Sequence, residues 1–290
     1  MSSVVVPLIG GLGNQMFQYA AARAVALRTG SAVRLELSWF GTDPDRQYAL
    51  EPFAIDAMTM VSEKQAAPKY DLLSRIVRRL PIARRQNGLP VFKETSFRYD
   101  SGIEELRSPV FLDGYFQSEK YFSNYRDQIA ADFKLRNAPL PPTAAILEQI
   151  GNCDAICLHI RRGDYVTNKA ANAHHGTCSL EYYKLGLEHV IEGLARPHCF
   201  VFSDDPEWAR GNFVPKIPVT FVDIHATNQA HEDLRLMAAC QRYVIANSSL
   251  SWWGAWLGSH SNKKVVAPAQ WFQKRDMDTS DLVPSSWIRV

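Results

Sequence analysis

Short apolar stretches alternate with alanine-rich or amphipathic stretches along most of this 290-residue chain. The apolar stretches have the length of buried strands, and the segments between them have the length of helices. A repeated strand–helix–strand order restricts a chain to parallel sheets with helices packed on their faces. Polar residues collect where the predicted strands end, at the edge where open α/β sheets bind ligands. The sequence therefore predicts two Rossmann-like, doubly wound α/β domains that face a central cleft.

A glycine-rich turn joins the first predicted strand to an alanine-rich helix that begins near Met16 and stops at Gly30. Gly11 and Gly13 lie in this turn, so backbone N–H groups at the helix start could face an anionic ligand. Asn14 beside them can donate and accept hydrogen bonds. The third glycine of the dinucleotide-binding fingerprint is missing, because Met16 stands in its place. The glycines are equally compatible with a tight turn that binds nothing.

Charged residues follow the apolar strand predicted over 155–160. His159 lies near its end, and Arg161, Arg162 and Asp164 come directly after it. Two adjacent guanidinium groups are costly to bury without an anion, and the donor fork of arginine fits phosphate oxygens. The pattern is typical of a phosphate site or of a surface turn with salt-bridged arginines.

Two further predicted strands in the second half end in polar residues. Asp205 precedes Pro206, as an N-cap residue precedes a proline at the first helical position. A carboxylate there could also accept the N1–H and N2–H donors of guanine. Ser248 and Ser249 open a helix, and small hydroxyls at a helix N-terminus favour a bound phosphate.

Glu36 and Asp113 lie at or near the ends of two strands predicted in the first half. Either carboxylate could act as a general base. Either could equally cap a helix or form an ion pair. Three prolines between residues 138 and 143 cannot continue a helix or a central strand. They predict a boundary between an N-terminal domain, 1–140, and a C-terminal domain, 141–290.

The composition excludes several classes of protein. A net charge of +2 argues against a nucleic-acid-binding protein, and no stretch approaches the roughly 20 apolar residues of a membrane span. The N-terminus predicts no signal peptide. Five cysteines, none in a Cys-x-x-Cys pair, predict reduced thiols in a cytoplasm. A zinc site at His174, His175 and Cys178 would lack a recognised ligand spacing.

Residues 70–80 predict an amphipathic helix, and basic residues from Arg75 to Arg85 crowd its polar face and exit. Such a helix could make weak peripheral contact with an anionic membrane surface. A solvated polar face explains the same pattern.

Several of these motifs together resemble glycosyltransferase family 11, the α-1,2-fucosyltransferases that use GDP-fucose. The motifs occur in the order of the family and span nearly the whole chain. They cover residues 10–20, 114–122, 159–165, 203–206 and 247–257.

The resemblance implies a GT-B-like fold, with the acceptor in the N-terminal domain and GDP-fucose mainly in the C-terminal domain. It implies that Arg161 contacts the β-phosphate. His159 and Asp205 would lie near the guanosine, and Ser248 and Ser249 near the phosphates.

The same resemblance implies that Asn14 and the glycine loop, with Gly11 and Gly13, line the cleft from the opposite side. Arg162 and Asp164 are expected to brace the arginine loop.

The implied reaction is inverting transfer of L-fucose from GDP-β-L-fucose to the 2-hydroxyl of a galactose, without metal or cofactor. The acceptor would be a galactose-containing oligosaccharide or lipid-linked glycan, in a bacterial cytoplasm or at the inner face of its membrane. The candidate catalytic residues are Arg161, Asn14, Asp113 and Glu36.

Two other functions remain open from the sequence. A metal-dependent sugar transferase would use an Asp-x-Asp motif, for which Asp43–Asp45 and Asp276–Asp278 are candidates, although both read as turns. A non-catalytic protein could have kept only the nucleotide-sugar site. A Rossmann oxidoreductase is disfavoured by the missing third glycine.

Overall fold

The computed structural model describes residues 2–61, 85–163, 166, 176–273 and 277–290. The chain divides into two compact units, Met1–Lys134 and Leu135–Val290. In the described ranges each unit holds a six-stranded, mainly parallel sheet with helices packed on it. The predicted mixed α/β fold with two parallel sheets is confirmed.

Unit 1 is built on a sheet of order β3-β2-β1-β6-β5-β4, in which only the β4–β5 pair is antiparallel. Its strands are β1 (Ser3–Pro7), β2 (Ala32–Glu36), β3 (Met58–Met60), β4 (Arg85–Gln86), β5 (Leu89–Lys93) and β6 (Val110–Asp113). Its α-helices are α1 (Leu12–Thr29) and α2 (Arg126–Asp132). Short 3-10 helices span Ser38–Gly41, Ser101–Glu105, Glu119–Tyr121 and Ser123–Tyr125.

Helix α1 begins at Leu12, earlier than the predicted start near Met16. The extended backbone of Gly11 forms its N-cap, so the glycine-rich turn leads directly into the first helical turn. At the other end Gly30 adopts the left-handed conformation, with φ of 64°, and its N–H donates to the carbonyl of Ala26. The predicted glycine stop is confirmed, and it follows from the low strain of glycine at positive φ.

Unit 2 contains a fully parallel sheet of order β12-β11-β10-β7-β8-β9. Its strands are β7 (Asp154–Ile160), β8 (Pro197–Ser203), β9 (Val219–Val222), β10 (Arg242–Val244), β11 (Lys264–Ala267) and β12 (Ile288–Arg289). Its α-helices are α3 (Pro141–Gly151), α4 (Leu180–Ile191), α5 (Pro206–Asn212), α6 (Ala230–Ala239) and α7 (Ser249–Leu257). A 3-10 helix spans Thr227–Gln229.

The strand order of unit 2 reverses between β7 and β10. The chain runs from β7 to β9 on one side and from β10 to β12 on the other. The two central strands are in register, with Leu158 opposite Val244. In a doubly wound sheet the crevice beyond the carboxyl ends of such strands is the usual ligand site. The residues that follow β7 and β10 therefore lie where the fold favours binding.

The apolar core of unit 2 explains why these strand ends are fixed. Strand β7 is buried along nearly its whole length, and the inward face of α4 packs on it through Tyr183 and Leu187. On α7, Trp252 is fully buried and its indole Nε1–H donates to the carbonyl of Leu282 at 2.9 Å. The tryptophan-rich segment is therefore core.

Helix α3 begins inside the proline-rich segment, at Pro141, because the first helical position does not use the N–H that proline lacks. The prolines therefore start a helix and do not continue one, and the predicted domain boundary at 140/141 stays a prediction.

Some predictions lie outside the described residues. They are the basic helix over 70–80 with its membrane contact, the bracing role of Asp164, the zinc ligands His174 and His175, and Asp276 of the second Asp-x-Asp motif. None of the helices in the described ranges combines the length and the apolar character needed to cross a bilayer.

Candidate functional site

Arg161 and Asp204 form an ion pair where β7 and β8 end. Ile160 lies opposite Ser203 in the sheet, so the residues that follow them are neighbours. Nη1 of Arg161 lies 3.1 Å from Oδ2 of Asp204, and both side chains are about three-quarters buried. The other carboxylate oxygen, Oδ1, accepts the backbone N–H of Arg162 at 2.7 Å. Asp204 therefore holds both the arginine side chain and the backbone beside it.

The loop after β7 packs directly on this carboxylate. A Cβ atom on Gly163 would lie 2.5 Å from Oδ2 of Asp204, which is closer than such atoms can approach. The glycine after the two arginines is therefore needed to let the loop reach Asp204.

Arg162 contacts two residues that follow β8, and its expected bracing role stays a prediction. Its guanidinium carbon lies 3.6 Å from the ring centroid of Trp208, and its Nε lies 3.4 Å from Oδ2 of Asp205. Oδ1 of Asp205 accepts the N–H of Trp208 and caps α5, with Pro206 in the first helical turn. The predicted cap is confirmed. The expected contact between Asp205 and guanosine stays a prediction.

His159 is buried beneath this charged edge. Only 4% of its surface is exposed, and its Nδ1 has no hydrogen-bond partner among the described residues. Burial lowers the pKa of His159 to about 4; the carboxylate of Asp204 opposes the shift, and the charge of Arg161 adds to it. The imidazole is therefore neutral near pH 7, and one ring nitrogen can accept a hydrogen bond while the other donates.

Ser248 and Ser249 lie beyond β10, at the start of α7. Ser248 is the N-cap residue, yet its side chain caps no N–H group. The N-terminus of α7 carries the partial positive charge that favours a phosphate. The preceding Asn247 is buried, and its Nδ2 donates to the carbonyls of Gly176 and Trp271 at 3.2 Å each. The sequence did not predict this anchor, since an asparagine between a strand and two serines is typical of a simple turn.

The glycine-rich turn of unit 1 holds Asn14 beside the next loop. Gly10 has φ of 77°, and a Cβ there would lie 2.7 Å from Nδ2 of Asn14. Nε2 of Gln117, which follows β6, donates to Oδ1 of Asn14 at 2.8 Å. Gly11 caps α1, and Gly13 is buried within its first turn. Gly10 thus lets the side chain of Asn14 lie across the turn, where it joins two neighbouring loops.

The two candidate bases of unit 1 lie in different surroundings. Glu36 is only 1% exposed, and its Oε1 accepts hydrogen bonds from the backbone N–H and the hydroxyl of Ser38. Asp113 is 39% exposed at its side chain, and its Oδ2 lies 2.9 Å from Nζ of Lys93. These contacts favour the capping alternative for Glu36. They leave Asp113 the more accessible carboxylate.

Glu94 is a partly buried carboxyl group to which the sequence did not point. It follows β5, and its Oε2 accepts the N–H groups of Tyr115 at 2.8 Å and Phe116 at 3.0 Å. Burial raises the pKa of Glu94 above the ordinary value for glutamate, against the effect of these two hydrogen bonds. A carboxylate directly after a strand can mark a functional residue, but the sequence did not predict β5, so the position of Glu94 gave no such signal.

The described residues contain no group of three or more histidine, cysteine or acidic residues that could hold a metal ion. Asp43 of the first Asp-x-Asp motif forms a local turn, in which its Oδ1 accepts the N–H of Asp45 at 3.0 Å. This contact agrees with the interpretation of Asp43–Asp45 as a turn.

The chain has a GT-B-like fold of two units, each with a mainly parallel sheet. The structure of an Arabidopsis thaliana FUT1 variant in complex with GDP aligns with a TM-score of 0.50, over 91% of this chain and 70% of that chain. Its sequence identity is 12%, so the likeness concerns the fold alone.

The chain belongs to glycosyl transferase family 11, whose model matches residues 99–290. An alpha-1,2-colitosyltransferase from Escherichia coli is 32% identical, over 100% of this chain and 99% of the relative. The O-antigen biosynthesis glycosyltransferase WbnK, also from Escherichia coli, is 33% identical over 98% and 99%. The family resemblance inferred from the motifs is confirmed.

Proposed function

We propose that this glycosyltransferase is an inverting α-1,2-fucosyltransferase. It moves L-fucose from GDP-β-L-fucose to the 2-hydroxyl of a terminal galactose in a glycan. The observation that carries the proposal is the position of Arg161, held by Asp204 at the end of β7. The neighbouring strand β10 leads into the N-terminus of α7 at Ser248. A guanidinium and a helix N-terminus at one sheet edge suit the two phosphates of a nucleoside diphosphate.

Arg161 stabilises the leaving group in this mechanism. Breaking the bond between the anomeric carbon and the β-phosphate oxygen leaves both bonding electrons, and hence negative charge, on GDP. The guanidinium donates to that phosphate, and the N–H groups at the start of α7 add partial positive charge. Deleting such a preorganised donor costs about 3 kcal/mol of transition-state stabilisation.

The other donor-side residues bind and orient GDP-fucose. We assign His159 and Asp205 to the guanosine and Ser248 and Ser249 to the phosphates. Because the pKa of His159 is lowered to about 4, its imidazole adds no charge to the site near pH 7. The positive charge opposite the leaving group is then that of Arg161.

The acceptor hydroxyl loses its proton as it attacks the face opposite GDP, and attack from that face converts the β-linkage of the donor to α. We assign Asp113 as the general base that accepts this proton, because its side chain is more exposed than that of Glu36. Asn14 orients the acceptor.

The setting we propose is the bacterial cytoplasm or the inner face of its membrane, with an oligosaccharide or lipid-linked glycan as acceptor. The naming of one relative for O-antigen biosynthesis supports such an acceptor. All five cysteines are free thiols, which fits a reducing compartment.

The test is incubation of the purified protein with GDP-fucose and a panel of galactose-terminated acceptors, with product linkage read by NMR. We expect an α-1,2-fucosylated product from wild type and none from Arg161→Ala. Another linkage, or no product across a broad panel while wild type binds GDP-fucose, would contradict the proposal.

The similarity to an alpha-1,2-colitosyltransferase favours a second candidate donor. Colitose is fucose without the hydroxyl at C3, so the two sugars differ by one hydrogen-bonding group. A site that hydrogen-bonds the 3-hydroxyl would reject colitose strongly, whereas an apolar contact there would accept it. The ratio of kcat/KM for the two GDP-linked donors decides between these candidates.

A further inference from the structure

Residues 113–117, which begin at the last residue of β6, form a turn that is more tightly packed than a simple connection requires. We call it the β6 turn. A Cβ on Gly114 would lie 2.5 Å from Cβ of Glu94, so only glycine fits there. Phe116 has φ of 54°, a left-handed conformation that bulky residues rarely adopt. Backbone strain of this kind persists only where its surroundings impose it, and it is enriched at functional sites.

Glu94 and the ring of Phe116 impose this conformation. The carboxylate of Glu94 accepts two successive N–H groups of the turn, at 2.8 and 3.0 Å. The Phe116 ring is fully buried, stacked on Phe92 at 6.4 Å between centroids and edge-on to Tyr121 at 5.3 Å. The carboxyl group of Glu94 and the buried ring of Phe116 therefore fix the conformation of the turn.

The β6 turn also carries an aromatic side chain, Tyr115, and an amide side chain, Gln117. Tyr115 is 36% exposed, although the next residue along the chain is fully buried. Gln117 donates to Asn14 through Nε2. That bond uses Oδ1 of Asn14 and Nε2 of Gln117, so it leaves one amide donor, Nδ2 of Asn14, and one amide acceptor, Oε1 of Gln117.

The charges around the β6 turn favour a neutral ligand. Asp113 and Lys93 form an ion pair at 2.9 Å, and Tyr115 and Gln117 carry no charge. A phosphate would require an unpaired cation. A sugar hydroxyl, which both donates and accepts, matches an amide donor beside an amide acceptor. The C–H face of a galactose ring is apolar and suits stacking on an aromatic side chain.

We propose that the β6 turn is the binding site for the acceptor sugar, a galactose-like hexopyranose. The ring of Tyr115 packs on the C–H face of the sugar, and the amides of Asn14 and Gln117 bind its hydroxyls. The inference rests on the proposed function for the identity of the sugar, and it names where unit 1 holds it.

The first experiment measures initial rates against acceptor concentration at saturating GDP-fucose, for wild type, Tyr115→Ala and Tyr115→Phe. Loss of the ring should raise the acceptor KM about fivefold, whereas phenylalanine should stay within about twofold. The KM for GDP-fucose should not change. Tyr125→Ala removes a partly buried tyrosine of the same unit and serves as the matched control. An unchanged acceptor KM in Tyr115→Ala would overturn the site.

A second experiment separates this site from the proposed reaction. Saturation-transfer NMR with methyl β-D-galactopyranoside and lactose reports direct galactoside binding without turnover. We expect signals for wild type and Tyr115→Phe that Tyr115→Ala loses. If the protein transfers no fucose yet binds galactosides through Tyr115, the site stands and the proposed function fails. Equal galactoside signals in wild type and Tyr115→Ala, or no signal in wild type, would overturn the site.

Discussion

Nη1 of Arg161 lies 3.1 Å from Oδ2 of Asp204, and the two residues follow adjacent parallel strands. The second oxygen of the same carboxylate accepts the backbone N–H of Arg162. One side chain thus fixes the direction of a guanidinium relative to the strand that carries it. For an arginine that must meet a developing charge, such preorganisation is what makes the interaction effective.

Replacing Arg161 by alanine should lower kcat/KM for fucosyl transfer at least about 100-fold, because the charge on departing GDP loses its fixed donor. Arg161→Lys should recover only part of the rate, since lysine keeps the charge and loses the donor fork. Steady-state kinetics measure the effect, and thermal unfolding checks that both variants stay folded. Turnover near the wild-type rate in a folded Arg161→Ala protein would refute the role.

Asp204→Asn should lower kcat about tenfold by releasing the guanidinium, while the amide oxygen still accepts the N–H of Arg162. If Asp204 acts through Arg161, this substitution should have little further effect in an Arg161→Ala background. The measurement is a double-mutant cycle on kcat and on GDP affinity. Asp223→Asn breaks an exposed pair with Arg210 and should leave both values unchanged. If the losses of the two single variants add in the double variant, Asp204 does not act through Arg161.

His159 should remain neutral down to about pH 5, because burial lowers its pKa to about 4. An unfolded histidine protonates near pH 6.5, so the unfolded state takes up the proton first. Stability from the neutral imidazole is thus complete above about pH 6.5 and is lost as the pH falls toward 4. The free energy of unfolding of wild type should therefore fall between pH 6.5 and pH 4, and in His159→Gln this fall should be smaller by up to about 3 kcal/mol. Urea unfolding at several pH values tests this, and a His159 NMR titration near 6.5 would contradict it.

The strand ends of unit 2 could be predicted because each follows a continuous apolar stretch and carries residues with local signatures. The Asp205–Pro206 cap is a local feature that neighbouring residues determine. The serines of α7 followed from the same logic. In this half the sequence therefore indicated both the fold and the sheet edge that carries the candidate site.

Strand β5 and its contacts with the turn after β6 could not be predicted in the same way. Strand β5 contains a proline and pairs with a strand of only two residues, so no clear periodicity marks it. The contact between Glu94 and the β6 turn depends on the register that sets Lys93 opposite Asp113, which is a nonlocal property. The burial of Glu36 was unpredictable for the same reason. The sequence around a carboxylate at a strand end does not show whether its side chain is exposed or buried.

Removal of divalent metal ions should leave fucosyl transfer unchanged. In the proposed mechanism the charge on GDP is met by Arg161 and the N-terminus of α7, so no step requires a metal ion. The measurement is the initial rate after treatment with excess EDTA, followed by dialysis and addition of Mg²⁺ or Mn²⁺. A rate that falls with the chelator and returns with the metal would favour the Asp-x-Asp alternative.

Gly163→Ala should impair transfer more than it impairs stability. The added methyl group would lie 2.5 Å from Oδ2 of Asp204, so the loop or the carboxylate must move. The carboxylate cannot move without loosening its contacts to Arg161 and to the backbone of Arg162. We expect about a tenfold loss of kcat/KM with a small change in Tm. Gly211→Ala is the matched control, since no atom lies within 4 Å of a Cβ there and alanine favours the helix. Equal kinetics in the two alanine variants would mean that the close approach of Gly163 to Asp204 has no part in orienting Arg161.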